Sequence, residues 1–402
     1  MATDNIVIVG AGPVGLTAAL AFARAGIPVT VLERDDVLND SPRAAIHHWC
    51  ALPFLGSLGI LEDAIAAGFL GSGLTFRRFA TGEHVTMAVD PLVGHVPHPY
   101  SLHLGQGDLG RIILDHLSRH PHAQIIWKAD FQSLEQDENG VTVRFGTPDG
   151  DQELRAGWVI GTDGARSSVR QVLGLDFEGM TWPERFVATN IRYDFRRHGF
   201  HDINMVLDPQ YGAVVARLDE DDLWRCTFSE DDSLPLESVE ERIGVFLDTF
   251  LPDRSGYELV HYGPYRMHQR AASSLRAGRV LLAGDAAHST NPTGGLGLTS
   301  GLFDIETLGE ALPAVIKAEV SDEVLDRYSA RRRAAFLDIA SPAASQFKQL
   351  VFGTSDEKVF DAFFADIHQV AADPERMRAQ FLAFGESRTG SVLDPSAERA
   401  QS

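Results

Sequence analysis

A glycine-rich turn between an apolar strand and an apolar helix constrains this chain more than any other feature. Residues 5–9 form a short apolar run that predicts a buried strand, and residues 14–25 have the pattern of a packed helix. Between them, residues 10–15 read GAGPVG, a GxGxxG motif in the strand–helix context that gives it meaning. With a second apolar strand at residues 28–33, the segment predicts a βαβ unit that binds a dinucleotide.

The turn has the properties that a diphosphate requires. Its first two glycines permit a tight turn and a close approach of the backbone, and the third lets the helix pack against the strand. The unpaired N–H groups at the helix start then face the diphosphate. Glu33 ends the second strand, where a carboxylate can accept hydrogen bonds from the adenosine ribose. Because a carboxylate repels a 2′-phosphate, the pattern predicts FAD or NAD rather than NADP.

A second glycine-rich segment favours FAD over NAD. Residues 280–283 predict an apolar strand that ends in Gly284-Asp285, and ligands of parallel sheets bind at such carboxyl ends. Asp285 can accept a hydrogen bond from a polyol hydroxyl. Residues 292–298 then carry several glycines before a helix predicted to begin near Thr299. N–H groups exposed at a helix start attract negative charge, which in a flavoprotein is the reduced isoalloxazine ring.

Composition excludes several other classes of protein. The chain has 402 residues and a formal net charge of -21, an acidic excess that disfavours nucleic acid and anionic membranes as partners. Two cysteines exclude a disulfide framework and a thiolate zinc site and fit a reducing cytosol. Residues 6–23 are apolar but lack a basic flank and contain helix-breaking glycines, so we expect no membrane span and a cytoplasmic protein. The histidine spacings indicate no metal site.

The remaining pattern predicts an α/β fold of two interleaved domains with a helical C-terminal end. Short alternating strands between acidic turns, with one helix at residues 239–250, predict a mostly antiparallel sheet in the middle of the chain. A Rossmann-like FAD-binding domain is assigned to residues 1–72, 101–179 and 267–345, and a substrate-binding β-sheet domain to residues 73–100 and 180–266. Residues 346–384 are expected to be helical and residues 385–402 to be a disordered tail.

Spacing also predicts three local elements. One helix is expected over residues 52–68 and another over residues 109–119. Residues 154–160 form an apolar run that predicts a single strand.

Three motifs in their order along the chain resemble those of the class A flavoprotein monooxygenases, which have the para-hydroxybenzoate hydroxylase fold. They are GAGPVG at residues 10–15, DGARSSVR at residues 163–170 and GDAAH at residues 284–288. The resemblance covers roughly residues 4–345 and implies a single-component enzyme that contains FAD and uses NAD(P)H and O2. In that chemistry a flavin C4a-hydroperoxide hydroxylates an aromatic or hydroxy-heteroaromatic small molecule. A homodimer is common in the family.

The resemblance also implies which residues contact the cofactor. Asp285 would hold the ribitol, and Pro292 would lie on the face of the flavin where oxygen reacts. Many relatives carry Gln and Asn where this chain has Leu296 and Thr299, so the polar contacts at the flavin edge differ. The implied FAD contacts are Gly10, Gly12, Pro13, Val14, Gly15, Glu33, Arg34, Arg43, Gln106, Asp163, Asp285, Gly294, Gly295, Leu296, Gly297 and Leu298.

Attack on a phenol is faster when the substrate is deprotonated, so a base of near-neutral pKa is expected, and histidine is the natural candidate. In sequences similar to 6-hydroxynicotinate monooxygenase a histidine aligns with His47, and His48 follows it. Tyr211 and His268 are further candidates on the middle sheet. Catalytic roles are therefore predicted for His47, His48, Tyr211 and Pro292, and substrate contacts for His47, Met205, Tyr211, Val215, Phe228, His268 and Pro292.

Two other functions fit the same motifs. One keeps FAD but changes the outcome to oxidative decarboxylation, ring opening, or an oxidase or halogenase reaction. The other is a flavin-binding protein without hydroxylase activity.

Overall fold

The chain has a mixed α/β architecture. The computed structural model describes residues 4–39, 45–253 and 256–394, so the predicted FAD contact Arg43 lies outside the described residues. Within these residues the strands, β1 to β20 in chain order, are Ile6–Val9, Val29–Glu33, Ile46–His47, Phe69–Gly71, Gly73–Arg78, His84–Ala88, Ser101–His103, Ala123–Trp127, Asp130–Asp137, Gly140–Thr147, Gly150–Ala156, Trp158–Gly161, Phe177–Arg192, Ile203–Leu207, Ala213–Arg217, Leu223–Asp231, Glu258–Ala272, Arg276–Ala277, Val280–Leu282 and His288–Ser289.

The helices alternate with the strands in the first half of the chain and dominate its C-terminal end. In the described part of the chain the helices α1 to α11 are Pro13–Arg24, Leu52–Ser57, Leu61–Ala67, Gln106–Leu117, Ser168–Val172, Val239–Phe250, Leu296–Ile316, Glu323–Ala335, Ser341–Phe352, Glu357–Ala372 and Pro374–Leu382. A π-helical turn, Phe336–Ala340, joins α8 to α9.

A six-stranded sheet forms the core of the dinucleotide-binding half. Its order is β18-β19-β12-β1-β2-β8, and every pair except β18/β19 is parallel. The central strand β1 is buried on both faces, as its unbroken apolar run predicts. Because β19, β12, β1 and β2 are neighbours and parallel, the three motifs that follow β1, β12 and β19 meet at one edge, beside Glu33 at the end of β2.

An eight-stranded sheet forms the second half, in the order β20-β17-β13-β16-β15-β14-β5-β6. Its strand pairs are antiparallel apart from β14/β5, so the predicted mostly antiparallel sheet is confirmed. Helix α6 covers one face, where Phe246 and Phe250 join its apolar cluster. Helices α9 to α11 lie on the other face, where Val351 and Phe360 pack with residues of β5 and β14.

Several local predictions were wrong. Residues 52–68 form two helices, because Gly59 adopts a φ of +73° between them. Residues 154–160 belong to two strands in different sheets, β11 and β12, which no local apolar pattern distinguishes. Helix α7 begins at Leu296 rather than near Thr299. The long strands β13 and β17 run across residues 179/180 and 266/267, and the proposed division into domains stays a prediction.

The stretch before residue 395 is packed, in contrast to the expected disorder from residue 385. Val392 is fully buried in the core of the dinucleotide-binding half. Arg388 forms an ion pair with Glu306 of α7. The sequence there is polar, but a few contacts with α7 and α8 are enough to order it. No helix in the described part of the chain is long and apolar enough to cross a membrane.

Candidate active site

The turn after β1 is shaped by contacts that only glycine tolerates. Gly10 has a φ of +104°, and a Cβ at Gly15 would lie 2.0 Å from the carbonyl oxygen of Gly10. Gly12 differs, because a Cβ there would meet nothing within 4 Å. Gly12 is the N-cap of α1 and offers no side-chain cap, and Pro13 occupies the first turn. The helix therefore begins with uncapped N–H groups facing open space, which fits a diphosphate.

Glu33 lies beside this turn. Its Oε2 accepts a hydrogen bond from the backbone N–H of Ala11 at 2.6 Å, and its Oε1 accepts one from Asp35 at 2.9 Å. The carboxylate is thus held at the edge where the adenosine ribose of a dinucleotide lies. Arg34 is largely exposed next to Asp35, and Gln106 is the first residue of α4. Contacts of Arg34 and Gln106 with FAD stay a prediction.

The DGARSSVR segment is tied mainly to the protein itself. Asp163 accepts hydrogen bonds from the backbone N–H groups of Ser168 (2.7 Å) and Val169 (3.1 Å) at the start of α5. Arg170 donates to the carbonyl oxygen of Ala286 at 2.8 Å. The carboxylate of Asp163 therefore orders α5, and Arg170 connects this motif to GDAAH. A direct contact of Asp163 with FAD stays a prediction.

The GDAAH segment rests on a buried charge cluster that sequence reasoning missed. Asp304 of α7 is fully buried and accepts a hydrogen bond from the N–H of Gly284 at 2.9 Å. The Nε2 atom of His288 and the Nε atom of Arg332 each lie 2.8 Å from its carboxylate. Burial alone would raise the pKa of Asp304, but the charges of His288 and Arg332 outweigh it and the pKa is lowered. The half-buried Asp285 is left at the carboxyl end of β19, next to this anchored backbone.

Val14 connects the first and third motifs. A Cβ at Gly284, whose φ is +61°, would lie 3.0 Å from the Val14 side chain, and a Cβ at Gly301 would lie 2.6 Å from it. Helices α1 and α7 therefore approach each other closely beneath the place where the two glycine-rich turns meet.

Replacing Asp304 by asparagine should lower the free energy of unfolding by about 3–5 kcal/mol, because Arg332 would stay buried without its counter-charge. Urea unfolding with saturating FAD measures this difference. Glu306→Gln is the matched control on the same helix, since its ion pair with Arg388 is partly exposed and should cost about 1 kcal/mol or less. Equal losses in the two variants would contradict the importance of the buried cluster.

The segment from Thr290 to Leu298 comprises the loop after β20 and the first residues of α7, and it is here called the flavin-edge loop. Gly295 is the N-cap of α7, has a φ of +67° and provides no side-chain cap. Leu296 is buried, whereas Gly297 and Leu298 are partly exposed and Pro292 is exposed. A 21-residue helix therefore starts with unsatisfied N–H groups beside this loop. The two uncapped helix starts and the open Gly12 fit FAD, with its diphosphate at α1 and its ring at α7.

Gln269 of β17 supports this loop and was not identified from the sequence. Its Oε1 atom accepts hydrogen bonds from the Thr290 hydroxyl at 3.1 Å and from the Asn291 side chain at 3.1 Å. Its Nε2 atom donates to the Ser341 hydroxyl at 2.7 Å. One side chain thus links the flavin-edge loop to the first residue of α9.

The two neighbouring histidines have different surroundings. His48 Nε2 lies 3.0 Å from the carbonyl oxygen of Gly294, and a Cβ at Gly295 would lie 2.9 Å from the same nitrogen. His47 is 1% exposed, and its Nε2 lies 3.2 Å from the carbonyl oxygen of Leu104. Burial by the surrounding protein lowers the pKa of each histidine to about 4. Both pKa values lie below the near-neutral value expected for the base, so both rings are neutral near pH 7. Of the two residues, His47 is buried and His48 is half-buried, and His48 contacts the flavin-edge loop.

Three of the predicted substrate residues lie on the α6 face of the middle sheet. Val215 and Phe228 belong to the apolar cluster under α6, where the Phe228 and Phe246 rings stack at 4.1 Å. Tyr211 packs against Phe79 and Phe246 in the same cluster. Helix α9, whose Phe347 lies next to Gly294 of the flavin-edge loop, packs on the opposite face. Contacts of these three residues with the substrate stay a prediction.

Met205 lies on the face that α9 covers and is buried with the C-terminal helices. His268 bonds the hydroxyl of Thr181 through Nδ1 at 2.9 Å. Burial lowers its pKa, and the charges of Arg270 and Arg166 contribute. His268 therefore lies beside the basic residues near the DGARSSVR segment rather than at the centre of the sheet.

Arg225 is a candidate substrate residue that the sequence did not single out. On β16 it lies three positions before Phe228, so its side chain is on the face opposite α6. Its Nε atom donates to the side-chain oxygen of Asn190 at 3.1 Å. Burial lowers the pKa of Arg225 to about 10, and the nearby Tyr265 acts in the opposite direction. A guanidinium thus stays charged on the face of the sheet opposite α6.

No group of three or more His, Cys, Asp or Glu side chains in residues 4–39, 45–253 and 256–394 is arranged to hold a metal ion.

Comparisons with known proteins agree with this geometry. A family model described as an FAD binding domain matches residues 3–341. The chain is 41% identical over 376 residues to 6-hydroxy-3-succinoylpyridine 3-monooxygenase of Pseudomonas putida (strain DSM 28022 / S16), covering 93% of this chain and 96% of that protein. It is 43% identical over 346 residues to para-nitrophenol 4-monooxygenase of Pseudomonas sp. (strain WBC-3), covering 85% of this chain and 86% of that one.

A solved structure shows the same fold. The crystal structure of p-nitrophenol 4-monooxygenase from Pseudomonas putida DLL-E4 matches with a TM-score of 0.92 and 39% identity, over 96% of this chain and 98% of that one. One assignment follows from three observations. They are the glycine-rich motifs, the fold with its six-stranded and eight-stranded sheets, and the likeness along nearly the whole length of both chains. The chain belongs to the class A FAD-dependent aromatic monooxygenases.

Proposed function

We propose that this monooxygenase hydroxylates a phenol or hydroxypyridine at the ring carbon para to the hydroxyl, a carbon that carries a substituent. The observation that carries the proposal is the position of His48. A neutral imidazole lies against the flavin-edge loop, with its Nε2 bonded to the Gly294 carbonyl oxygen. Since Nε2 carries the hydrogen in that bond, Nδ1 keeps a lone pair that can accept a proton from a substrate hydroxyl.

The names of two relatives support the para position. Position 4 of para-nitrophenol carries the nitro group and is para to the hydroxyl, and it is the position that names that relative's activity. Position 3 of 6-hydroxy-3-succinoylpyridine carries the succinoyl group and is likewise para to the hydroxyl. Removing the hydroxyl proton raises the electron density at the para carbon. A base at the hydroxyl therefore serves this regiochemistry.

FAD, when bound, supplies the redox chemistry that draws on NAD(P)H and O2. The residues of this chain hold it, orient the substrate and receive the proton. Oxygen as the oxidant, a homodimeric state and a cytoplasmic location are parts of the proposal. Oxygen consumption, sedimentation of the purified protein and fractionation of the source cells test them.

The proposal is tested with FAD-loaded protein and a matched set of phenols. Para-nitrophenol should stimulate NADH or NADPH oxidation and release nitrite. Its methyl ether, which has no ionisable hydroxyl, should do neither. Hydroxylation only at carbons ortho to the hydroxyl, across a panel of para-substituted phenols and hydroxypyridines, would contradict the proposal.

Arg225 is expected to recognise an electron-rich or anionic substituent opposite the hydroxyl. Arg225→Met should raise KM for para-nitrophenol or for a para-substituted phenol bearing a carboxylate roughly tenfold or more, because a charge-assisted hydrogen bond contributes about 1.5–3 kcal/mol. Steady-state kinetics measure the change. Arg192→Met, in the neighbouring strand but largely exposed, is the control. An equal KM in the two variants would exclude this role for Arg225.

A further inference from the structure

The C-terminal turn after α11 lies against the catalytic histidine. The ring of Phe384 stacks on His48, with a centroid distance of 4.4 Å and an interplanar angle of 26°. On the other side Phe347 of α9 lies nearly parallel to Phe384, at 6.1 Å and 12°. The three rings His48, Phe384 and Phe347 are called the ring stack below.

The ring stack encloses one residue of the flavin-edge loop. His48 bonds the carbonyl oxygen of Gly294, and a Cβ at Gly294 would lie 3.1 Å from Cδ2 of Phe347. The two outer rings therefore contact the same glycine from different sides. A displacement of Phe384 would release the His48 ring at one end of the stack and Phe347 at the other.

The segment that carries Phe384 is fastened to the residues next to His48. The indole N–H of Trp49 donates to the carbonyl oxygen of Phe381 at 3.0 Å. The thiol of Cys50 donates to the carbonyl oxygen of Phe384 at 3.4 Å. Three consecutive residues, 48 to 50, thus contact the end of α11 or the turn after it, so the position of Phe384 is set by the segment after β3 that also carries His48.

We propose that Phe384 is a positioning residue for the monooxygenase reaction, which fixes the plane of the His48 ring so that Nε2 bonds Gly294 and Nδ1 stays directed at the substrate hydroxyl. This role rests on the proposed function, because it acts through His48. His48 and Phe347, the two ends of the stack, both contact the flavin-edge loop, so Phe384 also fixes the position of that loop relative to the substrate. The C-terminal segment is therefore a wall of the active site, supplied by residues far from the glycine motifs.

The test begins with Phe384→Ala in the FAD-loaded enzyme. A misplaced catalytic group costs up to about a hundredfold in rate. We therefore expect kcat for product formation to fall roughly tenfold to a hundredfold, with a smaller change in KM. A larger fraction of the NAD(P)H consumed should yield hydrogen peroxide instead of product. Phe384→Tyr keeps the ring and should restore coupling.

Phe381→Leu is the structural control, because Phe381 is buried in the same C-terminal segment and the hydrogen bond from Trp49 goes to its backbone carbonyl oxygen, which the substitution keeps. It should lower Tm without changing the ratio of product to NAD(P)H consumed. If Phe384→Ala changes Tm alone, or if Phe384→Tyr fails to restore coupling, the positioning role is overturned.

A double-mutant cycle separates this inference from the function on which it rests. In a His48→Ala background, Phe384→Ala should cause no further loss of kcat. An equal loss in both backgrounds would overturn the inference while leaving His48 as the base. Unchanged turnover in His48→Ala alone would overturn both the base assignment and the positioning role, even if the enzyme still hydroxylates.

Discussion

Replacing His48 by alanine should lower kcat for hydroxylation roughly a hundredfold, the usual range for loss of a general base. FAD should stay bound, since the proposed FAD contacts near His48 are backbone groups of the flavin-edge loop. The rate falls because an alanine side chain at position 48 has no atom that can accept the proton of the substrate hydroxyl. Single-turnover measurement of product formation, with FAD content from the absorption spectrum, checks both parts.

His47→Ala is the matched control, one residue away. Its ring is 1% exposed and bonded to Leu104, so this change should affect stability more than rate. The sequence comparison pointed to His47 first. A large rate loss in His47→Ala with little change in His48→Ala would therefore restore that assignment and reject ours.

The same assignment predicts a pH dependence. The neutral form of His48 is the active one, and burial lowers its pKa to about 4. The His48-dependent part of kcat/KM should therefore persist through neutral pH and be lost as the pH falls through about 4, rather than near the ordinary histidine value of about 6.5. An acid limb near that ordinary value would contradict the assignment.

Replacing Gly15 by alanine is expected to lower the affinity for FAD roughly tenfold to a hundredfold. The added Cβ would lie 2.0 Å from the carbonyl oxygen of Gly10, a backbone atom that can move only if the diphosphate-binding turn moves. Overpacking of this kind costs about 1–3 kcal/mol, which accounts for the expected change. Fluorescence titration of the apoprotein with FAD measures it.

Gly309→Ala serves as the control for that experiment. It lies within α7, where a Cβ would meet only the side chain of Ala21 at an ordinary 3.6 Å. The change should leave FAD affinity unaltered and raise helix stability slightly. Normal FAD affinity in Gly15→Ala would show that the turn tolerates the displacement, and the close packing of this motif would then not be required for binding.

Much of the cofactor site could be predicted because its signals are local. The glycine turn and the GDAAH segment each follow a strand, Glu33 ends one, and parallel neighbouring strands bring their carboxyl ends to one edge. The residues that support these motifs could not be found in this way. Asp304 and Arg332 look like ordinary helix residues, and only their burial beside His288 reveals a charge cluster.

The substrate contacts stay predictions, because the sequence could not assign side chains to one face of the middle sheet. Side chains alternate across a strand, so Phe228 and Arg225 point to opposite faces although both are on β16. Without the pairing and the helix that covers each face, apolar residues such as Val215 look equally suitable. The sequence therefore identified the sheet but selected residues from its α6 face.

The sequence by itself determined the βαβ unit, the FAD-binding edge and the family resemblance. Turn geometry and the order of strands and helices depend on residues that are neighbours in the chain. Only the tertiary structure decided which histidine contacts the flavin-edge loop, which residues lie on each face of the middle sheet and which C-terminal ring stacks on His48. The thiol of Cys50 and the carbonyl oxygen of Phe384 lie 334 positions apart in the chain, yet they are 3.4 Å apart in space. Contacts of that kind arise from packing, which no local pattern encodes.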